Sequence, residues 1–548
     1  MLRRAVLAGL FAVLPSPTGP LDAQVPAARV DSIFRFASDS TPGCAVAATR
    51  DGTVLLARGY GIANLEHRVP ITAETVFYLA SVSKQFAAAA INLLVLDRKL
   101  SLDDDVQKYV PELPAYQRPI TIRHLIHHTS GLRDYLDLFD LAGLDDFPIT
   151  NADFLAMMGR QRALNFAPGE AYSYSNSGYV LLSIIVERVT GTPIRAFAEE
   201  RIFRPLGMKA TVFRDNHSML IQNLATGYRR LPDGRWAISV PYFDVVGDGG
   251  LMSSVTDLAK WESNWWQPRV GGADWLDLER QRGRLNDGWP LTYGAGLSHG
   301  EYRGDSVVAH GGGYGGYNTY LIRFPARRFS VAVLCNSGTV PAGQLAQRVA
   351  DVFLADVLAA TPAPNQSGSN VPERVRLEPG ELASYAGTFF APGSMLVRRL
   401  VPDSGRLFYD RGAGNRSELI PAAAGRFRMA GAEVMVRASA GKDSLWLDLP
   451  GERPMLLFRV AAGGGSRAGL AGSYYSSDLR ISITVEPRDS GILIRPERGS
   501  AAMFTPAFAD AFTAGPILVR VVREAGRVTG LEVSSGERAR NVRFDKQP

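Results

Sequence analysis

Ser81-Val82-Ser83-Lys84-Gln85-Phe86-Ala87-Ala88-Ala89-Ala90-Ile91-Asn92-Leu93-Leu94 carries the strongest structural signal in the chain. Alanine and leucine favour helix, and neither Gly nor Pro interrupts them. Apolar residues fall on every side, so the helix is expected to be buried. Ser81 then stands near its N-terminus, with Lys84 one turn on and on the same face. A serine hydroxyl is a poor nucleophile until a base takes its proton. Burial favours the neutral form of lysine, the form that can serve as that base. The spacing alone is cheap. Ser439-Ala440-Gly441-Lys442 repeats it in what reads as a polar turn between strands. The apolar helix and two further motifs set the first copy apart.

The second motif is Tyr174-Ser175-Asn176, in a loop opened by Pro168-Gly169 and followed by a helix from Ser177. A tyrosine beside a cationic lysine is expected to have its pKa lowered. As phenolate it can take the serine proton and later protonate the leaving group. Asn176 supplies an amide donor and acceptor for a substrate carbonyl. By itself the motif equally describes a turn closed by Asn and anchored by a packed tyrosine. The third motif is His310-Gly311-Gly312-Gly313-Tyr314-Gly315-Gly316, placed just before a strand. Glycine lets a substrate or another backbone approach a strand edge closely. Backbone N–H groups there, with that of Ser81, suit an oxyanion hole. His310 would add a proton donor or a positive charge. The plain alternative is a flexible glycine turn with a packing histidine.

Taken in order, Ser-x-x-Lys, Tyr-x-Asn and His-x-Gly resemble the serine β-lactamase and penicillin-binding superfamily on its class C side. That group includes D-aminopeptidases, D-alanyl-D-alanine carboxypeptidases and esterases. Gly59-Tyr60-Gly61-Ile62-Ala63-Asn64, the stretch from Ile122 to Leu132, Pro205-Leu206-Gly207-Met208 and Gly249-Gly250-Leu251-Met252-Ser253-Ser254 are similar to the same group. The likeness spans roughly residues 30–358. It implies Ser81 as acyl-accepting nucleophile, Lys84 as its activator, Tyr174 as main proton carrier and Asn176 as substrate orienter. The N–H groups of Ser81 and Gly313, beside Gly312, would form the oxyanion hole. His310 stands where the family often has lysine, which helps bind the carboxylate of β-lactams and D-Ala-D-Ala peptides. Histidine at this place is seen in the aminopeptidase and esterase branches. The resemblance thus implies cleavage of an ester or of a D-amino-acid amide or peptide. β-Lactamase or D-Ala-D-Ala carboxypeptidase activity is the alternative. A non-catalytic relative that binds cell-wall peptides is the other.

Residues 27–360 show strands at both ends and helices between, near 83–97, 121–128, 151–160 and 177–189. A further helix ends at Gly207, and another starts at Ser254 with an acid three residues later. The expected fold class is α+β: an antiparallel sheet flanked by helices with a helical subdomain. A polar, breaker-rich linker follows at 361–376. Then the texture changes to short strands that repeat. Tyr385-Ala386-Gly387-Thr388-Phe389-Phe390 matches Leu470-Ala471-Gly472-Ser473-Tyr474-Tyr475, and Asp403-Ser404-Gly405 matches Asp489-Ser490-Gly491. Two antiparallel β modules, 377–460 and 466–548, are expected as two small barrels or two halves of one. They resemble the accessory modules of D-aminopeptidases.

The chain of 548 residues is too long for one core. Its formal charge of +6 does not indicate a nucleic-acid partner, since only seven of its 60 basic residues are lysine and no dense basic run occurs. Arg3 and Arg4, the short apolar run from Ala5 to Leu14 and Leu21-Asp22-Ala23 read as a cleavable leader, 1–23, for a periplasmic or secreted protein. No segment has transmembrane length. Cys44 and Cys335 both fall in expected strands. They are expected as buried free thiols, with a disulfide as the alternative in an oxidising compartment.

No metal or organic cofactor is implied, and the partner is a small-molecule or peptide substrate. His124, His127 and His128 have helical ligand spacing but lack a further ligand. The G-x-G-x-x-G within 311–316 precedes a strand where a dinucleotide site needs a helix. Gly296-Leu297-Ser298-His299-Gly300 fits a nucleophile elbow but has no convincing helix after it.

Overall fold

Phe329-Ser330-Val331-Ala332-Val333-Leu334-Cys335 is a β-branched, apolar run with every residue buried, as expected of a strand covered on both faces. The computed structural model describes residues 24–144, 148–359 and 377–548, apart from 413, 431, 433, 450, 451, 462, 464 and 465. The expected leader, 1–23, and linker, 361–376, lie outside the described residues. Seven antiparallel strands form the main sheet: β1 (Cys44–Arg50), β2 (Thr53–Tyr60), β3 (Tyr293–Gly294), β4 (Leu297–Tyr302), β5 (Asp305–Tyr314), β6 (Tyr317–Phe324) and β7 (Phe329–Cys335). Their order is β3-β4-β5-β6-β7-β1-β2, so β1, from the start of the segment, pairs with β7, from its end.

Alternation along β1 divides the packing. Cys44, Val46 and Ala48 join one apolar layer with α1 (Gln24–Ile33) and the C-terminal helix Ala342–Phe353. Ala45 and Ala47 face the other layer, where the long run of the opening motif forms α2 (Lys84–Leu96). Around α2 pack α3 (Asn176–Thr190), α4 (Val255–Trp266) and α5 (Gly272–Arg280). Gly207 ends its helix with φ of 70°. Ser254 caps α4 by accepting the Asp257 N–H, while the Asp257 carboxylate turns to Ala210, Thr211 and Lys260 instead of closing a capping box. Ion pairing is also used inside the core. The Arg323 guanidinium on β6 bonds to the Glu262 carboxylate of α4 at 2.7–2.9 Å and to Gln85 Oε1 of α2 at 2.7 Å.

Of the two arrangements open for the C-terminal repeats, the chain adopts two closed eight-stranded antiparallel barrels. The repeated glycines Gly387 and Gly472 each open the first strand of a barrel. The two Asp-Ser-Gly copies stand where the second strand gives way to the third. The α+β fold class is therefore as expected, with barrels as the accessory modules.

Three expectations are corrected. The glycine run does precede a strand, β6, but it is not a flexible turn throughout: 310–314 is the end of β5, held by a ladder to β6, and only Gly315-Gly316 turns. Asn176 is not in the loop but is the first residue of α3. Cys44 and Cys335 are not free: register places them directly opposite each other on β1 and β7, and they form a disulfide. The two residues are far apart in sequence, and only the β1–β7 register brings their sulfur atoms within bonding reach. Among the described residues no helix is long and apolar enough to cross a membrane.

The bridge closes a segment of 291 residues, for which the chain-entropy account gives an upper value of about 5–6 kcal/mol, against about 2–5 kcal/mol typically lost when a native disulfide is removed. Cys335→Ser is therefore expected to lower the melting temperature by several degrees, and thiol titration of the unfolded, unreduced protein is expected to find no free thiol.

Candidate active site

The helix that carries Lys84 is preceded by a tight turn, Ala80–Ser83, which presents Ser81. Ala80 takes φ of 47°, a costly region for a residue with a Cβ, so the turn is held by its surroundings. Leu79 N–H donates to Leu251 O at 2.8 Å, and the Thr319 hydroxyl donates to Leu79 O at 2.8 Å. Gly312 passes so close that a Cβ there would lie 2.2 Å from Leu79 O, and 3.0 Å from Ser81 N. Only glycine permits this approach. Gly315-Gly316 is a two-residue turn, so Tyr314 and Tyr317 close the hairpin. Alternation then turns the Gly313 N–H away from β6, along a stretch of β5 that β4 does not reach. A Cβ on Gly313 would meet nothing within 4 Å, so the backbone there is open to the cleft.

Lys84 is fully buried. Its Nζ lies 2.8 Å from Asn176 Oδ1, 2.7 Å from the main-chain oxygen of Asp248 and 3.2 Å from Ser81 Oγ. Two of these partners can only accept. A neutral amine has two hydrogens, which the two carbonyls consume, so its lone pair faces the Ser81 hydroxyl. Burial pushes the Lys84 amine down to about 8, opposed by Asp248 and Asp134. The Tyr174 hydroxyl is hydrogen-bonded to Ser81, and the Lys84 amine lies 4.8 Å from the centre of the Tyr174 ring. Burial raises the Tyr174 phenol above its ordinary value. The lowered phenol anticipated from the sequence is thus corrected: the amine lies over the ring face, burial dominates, and Tyr174 rests as a proton donor.

His310 also differs from expectation. Its Nδ1 lies 2.6 Å from Gly311 O, which can only accept, so Nδ1 carries the hydrogen. Nε2 then accepts from the Tyr293 hydroxyl at 3.0 Å. Burial, with Lys84 adding repulsion, pushes the imidazole down to about 4. Burial thus holds His310 as the neutral imidazole at neutral pH. The ring remains within the cluster, 6.2 Å from that of Tyr174. Ser81, Lys84, Tyr174, Asn176, His310, Gly312 and Gly313 are all brought to one place. The decoys are not. Ser298 lies within β4, opposite Ala309. Lys442 bonds to Ser384 rather than to Ser439. His124 Nδ1 accepts the Thr121 N–H while His128 Nδ1 accepts that of Ser175. Among the described residues no cluster of three or more His, Cys, Asp or Glu side chains could hold a metal ion.

The profile of the Beta-lactamase family matches residues 30–354, more than half of the chain. The chain belongs to the Beta-lactamase family. A D-aminopeptidase of Gluconobacter oxydans (strain 621H) is 30% identical over 469 residues, covering 81% of this chain and 82% of that protein. Penicillin-binding protein 4* of Bacillus subtilis (strain 168) is 30% identical over 421 residues, covering 73% and 90%. Among solved structures, an octameric penicillin-binding protein homologue from Pyrococcus abyssi superposes with a TM-score of 0.56 at 25% identity, over 80% of this chain and all of that one. The protein is a serine hydrolase of the β-lactamase and penicillin-binding superfamily.

The motifs that mark this Beta-lactamase relative stop just short of other residues at the site. Asp134 lies two residues after Leu132, and its carboxylate accepts the Asn176 N–H at 2.6 Å. Tyr135 follows and donates to the Asp248 carboxylate at 3.0 Å. Asp248 itself immediately precedes Gly249. Burial raises its carboxyl, opposed by Lys84. Tyr293, on β3, had no neighbouring signal. It also lines a cavity of about 530 Å³ between the catalytic domain and both barrels, whose wall includes Tyr172, Glu452, Phe458, Glu537 and Arg540.

Histidine NMR tests the state of His310. A signal assigned by its loss in His310→Gln should titrate near pH 4. A midpoint at or above 6.5 would contradict the neutral imidazole.

Proposed function

We propose that the protein hydrolyses an ester or a D-amino-acid amide or peptide through an acyl-enzyme on Ser81. The observation that carries this is the Lys84 amine, which is held by two carbonyls with its third contact on the Ser81 hydroxyl. Ser81 Oγ gives its proton to Lys84 Nζ as it bonds to the substrate carbonyl carbon. The carbonyl oxygen becomes an oxyanion facing the N–H groups of Ser81 and Gly313. When the bond to the leaving group breaks, Tyr174 supplies the proton, and the Lys84 ammonium restores it. Water then attacks the ester along the same path in reverse and frees Ser81. Asn176 uses its oxygen on Lys84, which leaves its Nδ2 donor for a substrate oxygen.

The neutral His310 favours the aminopeptidase and esterase side of the class C-like branch. A carboxylate-bearing β-lactam or D-Ala-D-Ala terminus would find no cation there. The D-aminopeptidase relative, matched across both the catalytic and barrel regions, supports a substrate with a D-residue. The disulfide supports the reading of residues 1–23 as an export leader and a periplasmic or secreted location.

Turnover of p-nitrophenyl esters, D-amino-acid p-nitroanilides and a cephalosporin, together with fluorophosphonate labelling, tests the proposal. Ser81→Ala is expected to lose at least about 10³-fold in kcat and all labelling, and the cephalosporin is expected to be the poorest substrate. Because neutral Lys84 is the working form, kcat/KM should rise with pH through about 8 and then level off. A wild-type chain that is folded but takes no probe would establish a binding protein instead.

A further inference from the structure

We propose that Arg538 of the second barrel is a positioning residue of the catalytic centre, holding Asn176, and through it Lys84, by pairing with the buried Asp134. The proposal rests on the acyl-transfer reading above and adds to it a residue more than 350 positions away from the Tyr-x-Asn motif.

The contacts form an unbroken series. Arg538 lies in the turn between the last two strands of the barrel, Arg527–Ser535 and Ala539–Lys546. Its guanidinium donates to Asp134 Oδ1 at 2.8 Å. Asp134 is fully buried, and its Oδ2 accepts the Asn176 N–H at 2.6 Å. Asn176 Oδ1 accepts from Lys84, and Lys84 reaches Ser81. A buried carboxylate without a cation is costly, so one partner must neutralise Asp134. That partner comes from outside the catalytic domain.

The turn is anchored to do this. Asp134 N–H donates to Arg538 O at 2.8 Å. Asn165 holds Arg538 O and the Arg540 N–H, each at 2.9 Å. The buried Arg133 guanidinium takes Arg540 O, Asn541 O and the Asp478 carboxylate. Asp137, one turn after Asp134, forms an ion pair with Arg538 through Nε at 2.8 Å. The charged groups that influence Lys84 are then Asp134, Asp248 and Arg538, while the neighbouring His128 and His310 are held neutral by burial. Of the three, only Arg538 opposes protonation of the amine.

The test compares wild type, Arg538→Gln, Arg538→Lys, the double variant Asp134→Asn/Arg538→Gln, and Ser81→Ala in the full-length chain. Hydrolysis of the best ester or D-anilide is measured across pH and normalised by active-site titration. Arg538→Gln should lose about tenfold or more in kcat at pH 7 with KM changed by less than about threefold. Its acid limb should move to higher pH, because Lys84 loses the charge that favours its neutral form. Arg538→Lys should recover part of the rate. The double variant, again neutral at this pair, should be faster than Arg538→Gln alone. If Arg538→Gln keeps wild-type kcat and pH profile per titrated site, or if neither second variant recovers activity, the proposal is overturned. If Ser81→Ala is as active as wild type, it is the acyl-transfer reading that falls.

Discussion

A primary amine kept from water and from any direct carboxylate contact underlies the rest of this structure. Two acids lie near Lys84, yet neither touches it with its side chain. Asp248 offers its main-chain carbonyl, and Asp134 acts through the amide of Asn176. A direct ion pair would hold the lysine as ammonium and leave no lone pair for Ser81. Dipoles in place of charges satisfy the amine's hydrogens without that penalty. The surrounding apolar helix, the tyrosine rings and the close strand at Gly312 keep the arrangement dry.

The sequence exposed those features in which a residue type is tied to a local pattern. The alanine-rich helix after Ser81 followed from propensity and an all-round apolar run. The two barrels followed from repeated glycines and Asp-Ser-Gly turns that mark equivalent strand starts and ends. Charge state was not legible. Tyr174 and His310 were both given the ionisation that a polar setting would favour, whereas burial drives each to its neutral form. Asp134, Asp248 and Arg538 were missed for a related reason. Each is an ordinary surface residue type, and only the third dimension shows that it faces the site. The cysteines illustrate the same limit. Strand assignment was correct for both, but register alone made them neighbours.

The barrels share an architecture but not a mode of attachment. The apolar interior of the second runs into that of the catalytic domain without a break, through residues such as Leu470, Tyr474 and Leu531. The first meets the second through Phe390 against Phe508, 5.0 Å between ring centres, and reaches the catalytic domain with Arg453, which pairs with Asp287 and lies over Trp289. One accessory module is thus a continuation of the enzyme's core, and the other a neighbour held by rings and surface charge.

The pairing of β1 with β7 has a consequence for how the polypeptide is made. One strand of this pair emerges from the ribosome hundreds of residues before its mate. Until the later strand arrives, the earlier one exposes an apolar edge with no ladder to complete, a state prone to aggregation. The sheet against which the nucleophile's turn packs can therefore close only once residues 329–335 have been made.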